Sequence, residues 1–251
     1  MIKLLSIGNS FSQDTQAYLH DMAAAGGISI KAGNLYIGGC SLKQHWENAS
    51  GDHAAYSYEE NGTETGRIVS IRQALQQDDW DIVTFQQASH DSGLLETYEP
   101  YLSKLTAYVR TLLPTAKQVL HQTWAYETDS GHPAFSQNYE SDQMLMYERL
   151  CGCYKQEAAR HHMPLIPCGT IIQHLRETKL FDYQNGGRSL CRDGFHMDIP
   201  YGRYAVSAVW FETLLGGDIS RNPYLPADAD PELIGFLKTE IHDLLLQKEL
   251  L

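Results

Sequence analysis

Ile2-Lys3-Leu4-Leu5-Ser6-Ile7-Gly8-Asn9-Ser10-Phe11-Ser12 is the stretch on which the reading of this chain turns. The run from Ile2 to Ile7 is short, apolar and β-rich, and it ends at once in Gly8-Asn9-Ser10. A helix is expected from about Ser12, with Tyr18, Met22 and Ala25 on one face and Gly26-Gly27 as its stop. Ser10 or Ser12 is a reasonable cap for it. The unit is therefore strand, glycine turn, helix, and a hydroxyl on such a turn is exposed at the edge of a sheet. The helix start adds backbone N–H donors and positive potential, useful where an oxyanion forms.

The same alternation continues. Ile28 to Ile37 reads as a second strand ending at Gly38-Gly39, and Trp80 to Phe85 as a third. Gln118-Val119-Leu120 opens a fourth, and Pro164 to Pro167 gives a fifth. Apolar residues at helical spacing fall between and after them: Ile68, Ile71 and Leu75; Leu102, Leu105, Val109 and Leu112; Tyr147, Cys151, Tyr154 and Ala158. Tyr204, Ala208, Phe211 and Leu215 mark a later helix, and Ile234, Leu237, Ile241 and Leu244 the last. Residues 43 to 67 are polar and aromatic and read as an excursion over the surface. The expectation is an α/β fold, a five-stranded parallel sheet covered on both faces, in one domain spanning residues 1–251. Ligands of such sheets bind outside the carboxyl ends of the strands.

Composition narrows the function. Of 251 residues, 19 are basic and 31 acidic, a net charge of -12 that repels phosphate backbones and anionic lipid, so neither nucleic acid nor membrane is an expected partner. The opening apolar run is too short for a signal peptide, which makes the cytoplasm the default compartment. Cys40, Cys151, Cys153, Cys168 and Cys191 form no regular framework and read as free thiols. His161-His162 with the cysteines lacks metal-ligand spacing, so no metal is expected. A phosphate loop is missing after Gly8, and no cofactor is expected.

Near the other end stands Arg192-Asp193-Gly194-Phe195-His196-Met197-Asp198, which places an acid and an imidazole on one loop. A carboxylate beside a histidine can fix its tautomer and stabilise the imidazolium. Taken alone, Asp-x-x-His also fits a loop in which Asp193 caps the helix after Pro200.

Gly-Asn-Ser-Phe near the N-terminus, Gly-Gly after the second strand and Asp-x-x-His before a late helix together resemble the SGNH/GDSL hydrolase superfamily, over essentially the whole chain. Trp80 to Ser89 and His121 to Tyr126 look like a bacterial branch of that superfamily, a domain of unknown function frequent in gut bacteria and resembling carbohydrate esterases. The resemblance implies a flavodoxin-like sheet and a Ser-His-Asp triad: Ser10 as nucleophile, His196 as base, Asp193 as its orienting acid. The backbone N–H groups of Ser10 and Gly39 would hold the oxyanion. Asn9 stands where many relatives have Asp, and the usual Gly-x-Asn-Asp block is missing. Distance from Asp81 puts His90 at the asparagine position, whereas a carboxamide points to Gln86 or Gln87, which are favoured as the third donor.

The expected activity is that of a metal-independent serine esterase acting on small acyl groups, O-acetyl above all, on carbohydrates. Trp124 and Tyr126, just past a strand end, are expected to bind the sugar. A lysophospholipase or thioesterase on the same triad, and a non-catalytic carbohydrate-binding protein, are the alternatives.

Overall fold

The structure is a computed structural model that describes residues 1–247. Its first half runs β1 (Ile2–Gly8), α1 (Ser10–Gln16), α2 (Leu19–Ala25), β2 (Ile30–Tyr36), α3 (Leu42–Ser50), β3 (Tyr56–Glu60), β4 (Thr63–Val69), α4 (Ile71–Gln76), β5 (Ile82–Phe85) and α5 (Tyr101–Leu112). The second half runs β6 (Lys117–His121), α6 (Pro133–Tyr139), α7 (Gln143–His161), β7 (Leu165–Ile166), α8 (Cys168–Arg176), α9 (Tyr201–Leu215) and α10 (Pro231–Leu246).

All seven strands join one mixed sheet in the order β4-β3-β2-β1-β5-β6-β7. The five expected strands are there and pair in parallel, β2-β1-β5-β6-β7. The sheet is nevertheless not five-stranded and not wholly parallel, because β3 and β4 add an antiparallel hairpin beside β2. That hairpin falls largely in the stretch expected to be a surface excursion, and it runs on to Val69, so that Ile68, expected at helical spacing with Ile71 and Leu75, is an exposed residue of β4 instead. Its turn is Asn61-Gly62, with φ of 52° and 77°, the two successive left-handed residues that a tight hairpin turn requires. Tyr56 and Tyr58 point inward and are buried, whereas β4 is exposed over six of its seven residues, as suits an edge strand.

β1 is buried from Leu4 to Gly8, the continuous apolar run of a strand covered on both sides. The chain leaves β1 for β2 on one side and returns past it to β5 on the other. Right-handed crossovers in opposite directions place their helices on opposite faces. Accordingly, α1 and α2 pack with α9, while α3, α4 and α5 pack with one another. Between β1 and β5 the order in which strands are added reverses, and a crevice opens at the carboxyl ends of the strands. Ser10 follows β1 and Gln86 follows β5, so both stand at that crevice.

Candidate active site

α1 begins at Ser10, two residues earlier than expected, and its cap is Asn9 rather than either serine. Asn9 Oδ1 accepts the Phe11 N–H at 2.9 Å, and Ser12, three residues beyond the cap, reaches back to the Asn9 N–H at 3.1 Å. The Ser10 N–H is left in the first helical turn, where the helix supplies no partner. The helix also breaks at Ala17-Tyr18, so the expected single helix is two short ones.

The loop from Leu190 to Asp198 folds back on itself. Cys191 bridges Met197, the Arg192 N–H donates to the His196 carbonyl at 2.9 Å, and the Asp198 N–H donates to the Leu190 carbonyl at 2.8 Å. Gly194 turns at its tip with φ of 87°, and a Cβ there would stand 2.8 Å from Ser130 Cα, so only glycine fits.

This loop brings Asp193 and His196 to Ser10. His196 Nε2 lies 2.8 Å from Ser10 Oγ, and His196 Nδ1 lies 2.7 Å from Asp193 Oδ2. With Nδ1–H donating to the carboxylate, Nε2 is the acceptor for the serine hydroxyl. Asp193 Oδ1 accepts the backbone N–H groups of His196 at 2.8 Å and Phe195 at 3.3 Å. Partial burial is the largest influence on the Asp193 carboxyl and pushes its pKa up, but these donors and the His196 ring together hold it below its ordinary value. Asp193 therefore caps nothing in α9; both of its oxygens serve His196.

A cavity of about 270 Å³ opens over Ser10. Its floor is Asn9, Ser10 and Phe11, one wall is Tyr36 with Gly38 and Gly39, and the other walls carry Ser89, His90, His132, Phe195 and His196. Gly39 has φ of 64°, a conformation that favours glycine. Tyr36 is the last residue of β2, so the strand-end rule could have found it. His132 and Phe195 carried no comparable signal, since neither follows a strand directly.

Both glutamines expected to complete the oxyanion hole are engaged elsewhere. Gln87 is fully buried; its Oε1 accepts the Leu42 and Ala88 N–H groups and its Nε2 donates to Thr97. Gln86 Nε2 donates to Asn9 Oδ1 at 2.6 Å, and its Oε1 faces His121 Nδ1 at 2.7 Å. Gln86 thus supports the helix cap beside Ser10 and does not line the cavity. His90, the residue at the matching distance from Asp81, does line it. Its carbonyl is held by Asn138 Nδ2 at 3.0 Å and the Tyr139 hydroxyl at 2.9 Å.

Trp124 and Tyr126 also depart from expectation, being fully buried beneath the cavity instead of lining it. Trp124 stacks on Phe11 at 4.1 Å between ring centroids and donates from Nε1 to the Phe195 carbonyl at 2.7 Å. The Tyr126 hydroxyl bonds Ser89 Oγ at 2.9 Å. Both brace the residues that do reach the cavity.

Away from Ser10, Glu99, Glu157 and His161 bring three metal-capable atoms within 4.8 Å of one another. His161 Nε2 lies 2.6 Å from Glu99 Oε1, and the Arg160 guanidinium, 3.4 Å from Glu157 Oε1 and 3.8 Å from Glu99 Oε1, already gives both carboxylates a positive neighbour. Burial pushes the thiols up, that of Cys153 to about 11 and those of Cys40 and Cys191 to about 12, which leaves them poor nucleophiles. No helix among the described residues is long and apolar enough to cross a membrane.

No curated protein matches the sequence. Among solved structures, a DUF4886 family protein from Bacteroides uniformis is 37% identical, over 99% of this chain and 96% of that one, with a TM-score of 0.91. A protein from Slackia heliotrinireducens assigned to the SGNH hydrolases is 21% identical over 84% of this chain and 98% of its own, with a TM-score of 0.55. A catalytic mutant of an acetylxylan esterase from Geobacillus stearothermophilus is 14% identical over 84% and 93%, with a TM-score of 0.56. The likeness to the last two is one of fold. Residues 3–243 match the family described as a domain of unknown function, DUF4886, and the chain belongs to that family, on the fold shared with the SGNH hydrolases.

Proposed function

We propose that the protein is a serine hydrolase of carboxylic esters, working through Ser10, His196 and Asp193 as a single hydrolase domain. One observation carries the reading: the unbroken line from Ser10 Oγ through the His196 ring to Asp193, with contacts of 2.8 and 2.7 Å. Ser10 Oγ attacks the ester carbonyl as its proton passes to His196 Nε2. The oxyanion forms at the N-terminus of α1, against the Ser10 N–H, with Gly39 on the facing wall. His90 replaces the glutamines as third donor. His196 then returns the proton to the leaving alcohol, and water attacks the acyl-enzyme by the same route in reverse.

Small acyl groups, acetyl above all, on carbohydrates are the favoured substrates. A cavity of about 270 Å³ walled by rings leaves little room for a long chain beside an alcohol. The fold is also that of an acetylxylan esterase, which supports the substrate class by analogy only. A lysophospholipase or thioesterase would show rates rising with acyl length on nitrophenyl esters; this protein should fall off beyond short acyl groups. The central experiment is labelling with a fluorophosphonate probe followed by peptide mapping. The label is expected on Ser10, and full labelling of Ser10→Ala would end the serine mechanism.

A further inference from the structure

The cavity over Ser10 holds, besides His196 and His90, a third imidazole for which ester hydrolysis by the triad has no role. His132 is the N-cap of α6, and its Nδ1 accepts the Ala134 N–H at 3.2 Å. A nitrogen that accepts carries no proton, so the neutral ring bears its hydrogen on Nε2. Burial first, then the neighbouring His90 and His196 imidazoles, hold the pKa of this ring below its ordinary value and favour the neutral form.

The ring is fixed on three sides. Tyr126 lies 4.9 Å away between centroids, Phe195 meets it edge-on at 5.1 Å, and His90 lies parallel at 6.1 Å. No protein group among the described residues accepts a hydrogen bond from Nε2, although His132 lines the cavity. The helix cap thus sets the tautomer, and the tautomer leaves a neutral donor beside the reacting centre.

Its place relative to the triad indicates what it meets. The Phe195 ring packs on His196 at 4.2 Å and on His132 at 5.1 Å, so both imidazoles contact one ring. In the proposed mechanism His196 delivers its proton to the leaving alcohol, and an alcohol half that reaches past the Phe195 ring would meet His132. We propose that His132 Nε2–H donates a hydrogen bond to an oxygen of the alcohol half of the substrate, making His132 a substrate-binding residue that selects oxygen-rich alcohols such as sugars. The proposal rests on the reading of Ser10 as nucleophile.

Two substitutions separate the cap from the donor. In His132→Asn the side-chain oxygen replaces Nδ1 as cap, asparagine being among the best caps, but nothing reaches the position of Nε2. In His132→Gln the amide nitrogen reaches that position, while the cap is weakened. Kinetics are compared on glucose pentaacetate, whose ring and neighbouring ester oxygens can accept, and on 4-nitrophenyl acetate, whose alcohol half has no such oxygen beside the ester. His132→Asn should raise KM for the sugar ester roughly three- to tenfold, the effect of one neutral hydrogen bond. The change in KM for 4-nitrophenyl acetate should be clearly smaller, and His132→Gln should restore the sugar-ester KM. An unchanged sugar-ester KM in His132→Asn overturns the proposal, as does a His132→Gln defect equal to that of His132→Asn. No turnover of glucose pentaacetate by the wild type removes the carbohydrate reading and this proposal with it. Activity surviving in Ser10→Ala instead marks the failure of the nucleophile assignment.

Discussion

Asn9 Nδ2 donates to the Cys40 carbonyl at 3.2 Å, which ties the turn presenting Ser10 to the turn presenting Gly39. The other end of the same carboxamide accepts from the Phe11 N–H and from Gln86 Nε2. Asn9 therefore needs both a donor and an acceptor, and a carboxylate has only acceptors. This accounts for asparagine where the resemblance leads one to expect aspartate.

Asn9→Asp should consequently be destabilising. Aspartate would still cap α1 and suit the helix dipole, so the cap is not the source of the loss. The loss comes from a carboxylate oxygen set against the buried Cys40 carbonyl, a cost of about 1–3 kcal/mol. Urea denaturation at pH 7 would measure it, together with a reduced rate of ester hydrolysis as the two turns part. Equal stability of variant and wild type would show that the bond to Cys40 contributes nothing.

Ser10→Ala and His196→Ala should each lower kcat for ester hydrolysis by about 10⁴- to 10⁶-fold while leaving the fold intact. The double variant should be little worse than either, because serine and base act as one unit. Asp193→Asn should be milder, since Asp193 reaches the substrate only through His196. Additive losses in the double variant, measured on 4-nitrophenyl acetate, would contradict a shared step.

The parts of the site that were legible in sequence are those fixed by local chain geometry. A β-run ending in Gly8-Asn9-Ser10 has to expose a residue at the strand end, and Asp193 and His196 share one loop. Gln86 and Gln87 were legible as amides but not as to where those amides point. His121 from β6 and Asn9 from the β1 turn claim Gln86, and that choice depends on strand order. Trp124 and Tyr126 follow a strand end as a binding pair would, yet Trp124 Nε1 bonds the Phe195 carbonyl and the Tyr126 ring lies under Phe195. The long-range fold of the loop from Leu190 to Asp198 covers them. The hairpin was readable from Asn61-Gly62, but its alternation is confined to Tyr56 and Tyr58, and β4 carries a single buried residue, Val69.

His121 makes stability depend on pH. The ring is fully buried, Nδ1 donates to Gln86 Oε1, Nε2 has no partner among the described residues, and burial lowers the pKa to about 3. The unfolded ring protonates near its ordinary value of about 6.5. Its contribution is therefore full above about pH 6.5 and is lost as pH falls towards the folded value, at no more than about 1.4 kcal/mol per pH unit. His45, also lowered to about 3 by burial, acts in the same direction. Glu59 and Glu157, raised by burial, tilt the other way. The comparison is thus with His121→Asn, whose amide can still donate to Gln86 but cannot titrate. Between pH 6.5 and 4.5 the stability of the variant should fall less steeply, by one proton. Parallel curves would show that His121 takes up its proton without unfolding.

Asp14 sits one helical turn beyond Ser10 on α1 and holds the loop that carries His196. Its side chain is fully buried; Oδ1 accepts from Arg203 Nε at 2.8 Å and from an Arg192 terminal nitrogen at 2.9 Å, while Oδ2 accepts the Met197 N–H at 2.9 Å. Arg192 also donates to the Met197 carbonyl. One short helix thus bears Ser10, the proposed nucleophile, at its start and the anchor for the neighbour of His196 four residues on. Asp14→Asn replaces one acceptor oxygen by an NH₂ that faces donors and removes the charge shared by two arginines. Breaking a fully buried pair costs about 3–5 kcal/mol. Both guanidiniums keep some contact with water, so the expected loss is smaller, about 1–3 kcal/mol. The functional loss should fall on kcat rather than KM, because His196 shifts relative to Ser10 while the walls of the cavity stay in place. Fluorophosphonate labelling of Ser10 should slow in proportion. A variant that loses stability but keeps the wild-type kcat and labelling rate would limit Asp14 to holding the fold and leave the alignment of Ser10 with His196 to the other contacts of the loop.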